Sequence, residues 1–488
     1  MAARNRDDII RLNGIEAERK ITLPMCKTHF AKQPMKVQKG MQQYIYDDAG
    51  SEYLDCCGNI AHVGHCHPRV AHMGKKQLEI LCTAQGFVTD VQSSYTKKLL
   101  TTVPPGLFDT VLLVNSGSEA VDLALRLAQN YTKRKDIICN QPSVFGHSST
   151  LASFNYRYIK HTDFKPYSWV HHIPICNSYR GAYADSPTPV EDALAHMKEL
   201  ILELEKKKTP VAGYLLETIN TSGGNLISPT EYLTAATKLV KDAGGLVIVD
   251  EVLAGLGRLG MHWWPFQHFN FKPDILVCGR SLGNGQPLSA VLTTQAIACS
   301  ILEYANSYGG NPVSCAMGMA VLEVISDEGM LLSSTAVGNH LKSGLTSLID
   351  KHHNLGDVRG IGLSLVLDIV EAQTSKKPSK DIAERLSYLL RDKYKILVPA
   401  DGPDGNCLFI NPPLCFSLDN SRKLVQSVDL ALTDVENGVT ETVKSLYELN
   451  EEFQIPGDIF DGFMKRRPSS CDDDSVACKM ARIEQELD

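Results

Sequence analysis

Two carboxylates, Asp250 and Glu251, follow the apolar run 246–249, and about thirty residues later Gly279-Arg280-Ser281 follows a second apolar run, 275–278. Four-residue apolar runs bounded by polar and glycine-rich segments predict buried strands. In an open parallel sheet the C-terminal strand ends border the ligand crevice, so Asp250 and position 280 are the first site candidates. A third is Asn115-Ser116-Gly117-Ser118, which follows the apolar run 111–114 and leads into apolar positions Ala120, Leu123, Ala124, Leu127 and Ala128 at helical spacing. Such a turn aims backbone N–H groups, hydroxyls and the positive end of a helix at one point, where a phosphate fits. The plainer alternatives are a serine-capped helix at 116–118 and a structural hydrogen-bond acceptor at Asp250.

The elements that must hold these residues alternate along the chain. Strands are expected at 137–139 and 212–216 as well, and helices at 189–206 and 232–243, which predicts a mostly parallel sheet covered on both faces. Residues 7–35 read as an arm, helical at first, and 44–54 as a hairpin around Asp48-Ala49-Gly50. Beyond the turn Ser307 to Pro312, a helix at 313–325, an alternating strand at 363–370 and a helix at 381–393 predict a smaller α/β domain. The expected organisation is an N-terminal arm and hairpin (1–60) joining the small domain, a large domain (61–315), a small C-terminal domain (316–450) and a disordered polar tail (451–488).

Composition narrows the function classes. The chain has 488 residues, 43% hydrophobic and 22% charged, with a formal net charge of -7, which gives no electrostatic basis for binding nucleic acid or an anionic membrane. No apolar run approaches the roughly 20 residues that span a bilayer. The N-terminus lacks a signal-peptide core and carries Asp7, Asp8 and Glu16, which favours the cytoplasm, with the mitochondrial matrix as the alternative. Fourteen cysteines without a C-x-x-C pair fit a reducing compartment. His62, His65 and His67 lack the spacing of a metal site, and no metal is expected. Gly255 to Gly260 spells G-x-G-x-x-G, but it does not join a strand directly to a helix, so a dinucleotide site is not expected.

The segments Asp250 to Arg258, Arg280 to Gly285 and Asn115 to Ala120 resemble the signatures of the class III pyridoxal-phosphate (PLP) aminotransferases. Within that family the likeness is to the ethanolamine-phosphate and phosphohydroxylysine phospho-lyases, and it extends over residues 7–449. The resemblance implies the PLP-dependent transferase fold of type I, with a large domain around a mostly parallel seven-stranded sheet plus a smaller C-terminal α/β domain. It implies that Asp250 keeps the cofactor's ring nitrogen protonated, that Val252 packs on the ring, and that Gly117 and Ser118 hold its phosphate. Ser307 falls where the family reaches the phosphate of the neighbouring subunit's cofactor, which implies a homodimer with shared sites. Glu217 and Arg359 fall on substrate positions, Arg359 as a carboxylate clamp, and the implied substrate is a small-molecule amine or phospho-amine.

One departure dominates. The family's lysine, whose amine forms the Schiff base and carries the proton, is Arg280 here. An arginine, with a pKa of at least ~12, stays a delocalised cation and is a very poor nucleophile. Leu253 replaces a glutamine that would bond the ring hydroxyl, Val144 an aromatic residue that would stack on the ring, and Gly86 an arginine of the phospho-lyases. The expectation is a family protein impaired in Schiff-base catalysis, a pseudoenzyme that holds PLP non-covalently if it binds it. The alternatives are an active phospho-lyase or transaminase, and a silent ligand-binding or regulatory partner that forms a heterodimer with an active paralogue.

Overall fold

The apolar runs become the middle of a seven-stranded sheet in the computed structural model, which describes residues 6–22, 26–57, 60–438 and 443–452. Its strands are β1 (Thr110–Val114), β2 (Asp136–Gln141), β3 (Val170–Pro174), β4 (Val211–Glu217), β5 (Leu246–Asp250), β6 (Ile275–Cys278) and β7 (Ser289–Thr293). Across the sheet the order is β1-β7-β6-β5-β4-β2-β3. The pairs β3/β2, β2/β4, β4/β5 and β5/β6 are parallel, and β7 runs antiparallel to both β6 and β1. Every residue of β4, β5 and β6 is buried, because helices cover both faces. Burying each Val, Leu or Ile of these strands contributes about 1.5–3 kcal/mol.

Helix α1 (Gly117–Thr132) starts three residues after β1 and packs along β4, β5, β6 and β7 through Ala120, Leu123, Ala124, Leu127 and Ala128. Its first turn is thereby fixed at the edge where β5 and β6 end. The expected helices are Pro189–Lys206 and Thr230–Asp242, and they sit against the same sheet.

A second, antiparallel sheet orders Leu355–Ile361, Ser364–Ile369, Cys407–Ile410 and Ala400–Asp401. The segment before the expected strand at 363–370 is itself a strand, paired to it across the tight Ile361–Ser364 turn. The N-terminal hairpin, Tyr44–Asp47 with Glu52–Asp55, takes Ile396–Leu397 as a parallel neighbour, which ties it to the C-terminal half.

The described residues within 37–440 form one compact unit, and those within 1–36 and 441–488 form another. In the second, helix Arg6–Thr22 packs Ile9, Leu12 and Ile15 around Leu449, and Asn13 and Asn450 exchange side-chain hydrogen bonds. The tail expected at 451–488 lies outside the described residues, apart from Glu451 and Glu452 at the end of helix Leu446–Glu452. Among the described residues no helix is long and apolar enough to cross a membrane.

The glycine motif at 255–260 is a loop between β5 and the next short helical turn, Pro265–Gln267. Its Arg258 is fully buried and donates to the carbonyls of Leu363 and Pro412 at 3.1 and 2.6 Å and to His62 Nδ1 at 3.2 Å. The loop therefore fastens the second sheet to the first. The three histidines have separate partners: His62 donates to the Leu256 carbonyl, His65 meets Asp55, and His67 meets Glu328. Burial, then repulsion from Arg258, pushes His62 down to about 3, so its ring is neutral.

Candidate active site

Asp250 closes β5 directly beside Glu217, which closes β4. The Val252 amide donates to Asp250 Oδ1 at 2.9 Å and orients the carboxylate. Burial raises the Asp250 pKa from its ordinary 3.8 to about 7, against the opposing pull of the Val252 amide and the Arg280 charge. Glu217 is raised well above the usual carboxylate range by burial and by Asp250, although the amides of Thr221 and Ser222 favour its ionised form. Its Oε2 is buried without a hydrogen-bond partner. The neighbouring Glu251 has a structural role: its Oε1 accepts from Thr218 Oγ1 and the Phe266 amide at 2.7 and 2.8 Å, and burial lifts it to about 8.

Arg280 follows the end of β6 in left-handed backbone, φ +50°. Solvent reaches its side chain along the crevice, yet enough protein surrounds it that desolvation lowers its pKa, while Asp250 supports its charge. The preceding Gly279 is wedged: a Cβ there would collide with Ser289 Oγ and come within 3.6 Å of Gly117 Cα. Gly117 in turn leaves no room for a side chain, since its Cβ would lie 2.9 Å from Val252 Cγ1. Position 280, the start of α1 and Val252 thus meet in one place. Lys272 precedes β6, and its carbonyl accepts from Lys241 at the opposite end of the strand.

The start of α1 is capped by Ser116, whose Oγ accepts from the Glu119 amide. That leaves Ser118 for a different contact, accepting from the His147 amide at 3.2 Å. Glu119 takes bonds from the amide and side chain of Asn115 and from Asn306, at 3.1, 3.0 and 3.0 Å. Burial alone would raise Glu119, but these donors hold it below the usual range. Asn306 Oδ1 accepts from Asn115 Nδ2 and from the amides of Tyr308 and Gly309, so one asparagine ties the helix start to residues 304–311. Sequence reasoning missed this clamp, for which only the Asn115/Glu119 spacing gives a local signal.

Ser307 is exposed on that segment and borders a cavity of about 200 Å³ that also touches Gly86. Gly86 has φ +78° and open space around it. Arg359 belongs to a separate cluster on the second sheet. Its guanidinium bonds the Gly224 carbonyl at 2.9 Å, Asp357 at 3.2 Å and the fully buried Asp368 at 2.9 Å, and lies over the Tyr179 ring. Arg180 also pairs with Asp368, at 2.9 and 3.1 Å. The structure thus brings Asp250, Glu217, Val252, Gly117, Ser118 and Arg280 to one edge of the sheet and engages Arg359 internally.

The arrangement can receive an anion at the helix start and a protonated base at Asp250. Comparison with known proteins shows what the chain is similar to. The chain is 37% identical over 449 residues to Ethanolamine-phosphate phospho-lyase homolog 1 of Caenorhabditis elegans, covering 88% of this chain and 96% of that one. It is 35% identical over 419 residues to Alanine--glyoxylate aminotransferase 2-like of Drosophila melanogaster, covering 84% and 85%. Among solved structures, a phospholyase from Arthrobacter in complex with phosphoethanolamine matches with a TM-score of 0.81 at 30% identity, over 86% of this chain and 99% of its own. A PLP-bound amine transaminase from an uncultivated Pseudomonas species shares the fold, with a TM-score of 0.77 at 24% identity over 84% and 97%. The family model for class III aminotransferases matches residues 27–432, and the chain belongs to that family.

Proposed function

We propose that this chain binds PLP reversibly at the edge of the large sheet and is impaired in the lysine-dependent chemistry of its relatives on amines or phospho-amines. The observation that carries the reading is Arg280 at the end of β6, beside an otherwise assembled site. The residues fit the cofactor as a non-covalent ligand. Gly117 allows close approach to the first turn of α1, where backbone N–H groups and the Ser118 hydroxyl would hold the phosphate. Val252 would support the ring, and Asp250 would keep its nitrogen protonated. When bound, PLP supplies a ring that accepts electrons from a substrate amine. Arg280 offers no neutral amine for covalent attachment or for moving a proton.

The engagement of Arg359 with Asp368 bears on the substrate. A substrate carboxylate would have to displace a buried partner, whereas a phospho-amine without a carboxylate makes no such demand. This supports phospho-amines over amino acids as the ligand class. Ser307 lies among exposed apolar side chains, Phe87 at 78%, Val88 at 89% and Tyr308 at 69%, which supports a homodimer through this face.

The reading is tested by adding PLP to the native protein. Thermal stability rises, since the ligand favours the folded state, and dialysis reverses the gain. Borohydride reduction followed by mass spectrometry leaves the chain unmodified. A reduced cofactor adduct on a single lysine would show that another amine has taken over, and an unchanged melting temperature would remove the binding itself. Gly117→Ala places a methyl group against Val252 and weakens PLP binding about tenfold with the fold preserved, as read by titration and circular dichroism. Unchanged affinity would place the phosphate elsewhere.

A further inference from the structure

Resting on the reading that PLP binds here, we propose that Arg280 makes the site select phosphorylated pyridines whose 4-substituent ends in oxygen over those whose 4-substituent ends in an ammonium group. Position 280 is where the family's lysine meets that substituent. In this chain its backbone is fixed beside the helix start, because Gly279 is packed between Ser289 and Gly117. An arginine side chain has five N–H donors and no acceptor, and it keeps its charge. An ammonium group likewise has only donors and a positive charge. The two cannot hydrogen-bond, and their charges repel.

An aldehyde or hydroxyl oxygen accepts from the guanidinium instead. A second group points the same way. Glu217 is buried on β4 beside Asp250, and its Oε2 has no hydrogen-bond partner. Burial and the Asp250 charge raise its pKa well above the usual carboxylate range, which favours the acid form, a donor to an oxygen. The remaining anion of the trio, Asp250, is already matched by the ring nitrogen of the bound ligand and by Arg280. The native arginine adds a permanent cation, which shifts preference away from the aminated ligand.

Equilibrium titration of the full chain near pH 7.5 with three probes tests this: pyridoxal, pyridoxine and pyridoxamine 5'-phosphates, which carry aldehyde, alcohol and aminomethyl groups at the 4-position. The aldehyde and alcohol forms bind within about threefold of each other, and the amine form binds about tenfold or more weakly. Arg280→Met, checked for folding by circular dichroism, loses that discrimination. Equal or tighter binding of the amine form by the native protein overturns the inference while leaving reversible PLP binding intact. Discrimination that survives in Arg280→Met overturns it as well. If none of the three probes binds either protein, the PLP reading falls and takes the selectivity with it.

Discussion

Arg280→Lys acquires a covalent hold on PLP. After incubation and borohydride reduction, the variant carries one cofactor mass on the peptide containing residue 280, near stoichiometric, where the native chain carries none. The chemistry is direct: a lysine amine can lose its charge and attack the aldehyde, and a guanidinium cannot. The exchange imposes little new strain, because both side chains are unbranched at Cβ and position 280 already has a left-handed backbone, φ +50°. Asp250, Gly117 and Val252 stay in place around it. A folded variant without an adduct would show that the changes at Leu253 and Val144 have removed the ring's support. An adduct on a different lysine would relocate the site.

Asp250→Asn stabilises the ligand-free protein at pH 8 and abolishes most of its affinity for PLP. The sign follows from the raised pKa. The unfolded carboxyl ionises near 3.8 and the folded one near 7, so between about pH 4 and pH 7 the unfolded chain releases a proton that the folded chain keeps. Stability from this group is lost as pH rises through that window. Asparagine never ionises, and its carbonyl still accepts from the Val252 amide. The gain at pH 8 is on the order of 2–4 kcal/mol and vanishes below pH 4, as read by urea unfolding at several pH values. Glu251, lifted to about 8 mainly by burial and in part by the Asp250 charge, contributes a further loss up to about pH 8 that the substitution lessens. If Asp250→Asn instead destabilises the protein at pH 8, the carboxylate serves the fold.

Much of the site was legible because it sits where buried strands stop. The runs of β4, β5 and β6 are apolar throughout, a pattern that two covered faces enforce, and the polar residues after them mark the crevice. Strand β7 was not legible: Ser289 to Thr293 is short, ends in hydroxyl residues and breaks the strand-helix alternation by running antiparallel. Helices Met330–Thr346 and Leu418–Glu436 were likewise folded into a general expectation of a small domain. The family resemblance made Arg359 a carboxylate clamp, but a matched position carries no information about the partners it has in this chain. Its bond to Asp368 crosses the hairpin on the diagonal, since Asp368 stands opposite Asp357, two residues before Arg359. The Asn306 clamp on Glu119 joins positions almost two hundred residues apart, so only its Asn115/Glu119 end carries a local signal.

That clamp makes two regions thermodynamically one. Asn306 bonds both Glu119 at the start of α1 and the amides of the segment that carries Ser307, so order in either is order in both. Linkage of this kind is reciprocal. On the proposed reading, a phosphate that steadies the helix start would lower the entropy still to be lost if the exposed face around Ser307 associates, and association would lower the entropy still to be lost by the ligand. Cooperativity between binding and assembly then requires no change of shape, only a shared restriction of motion.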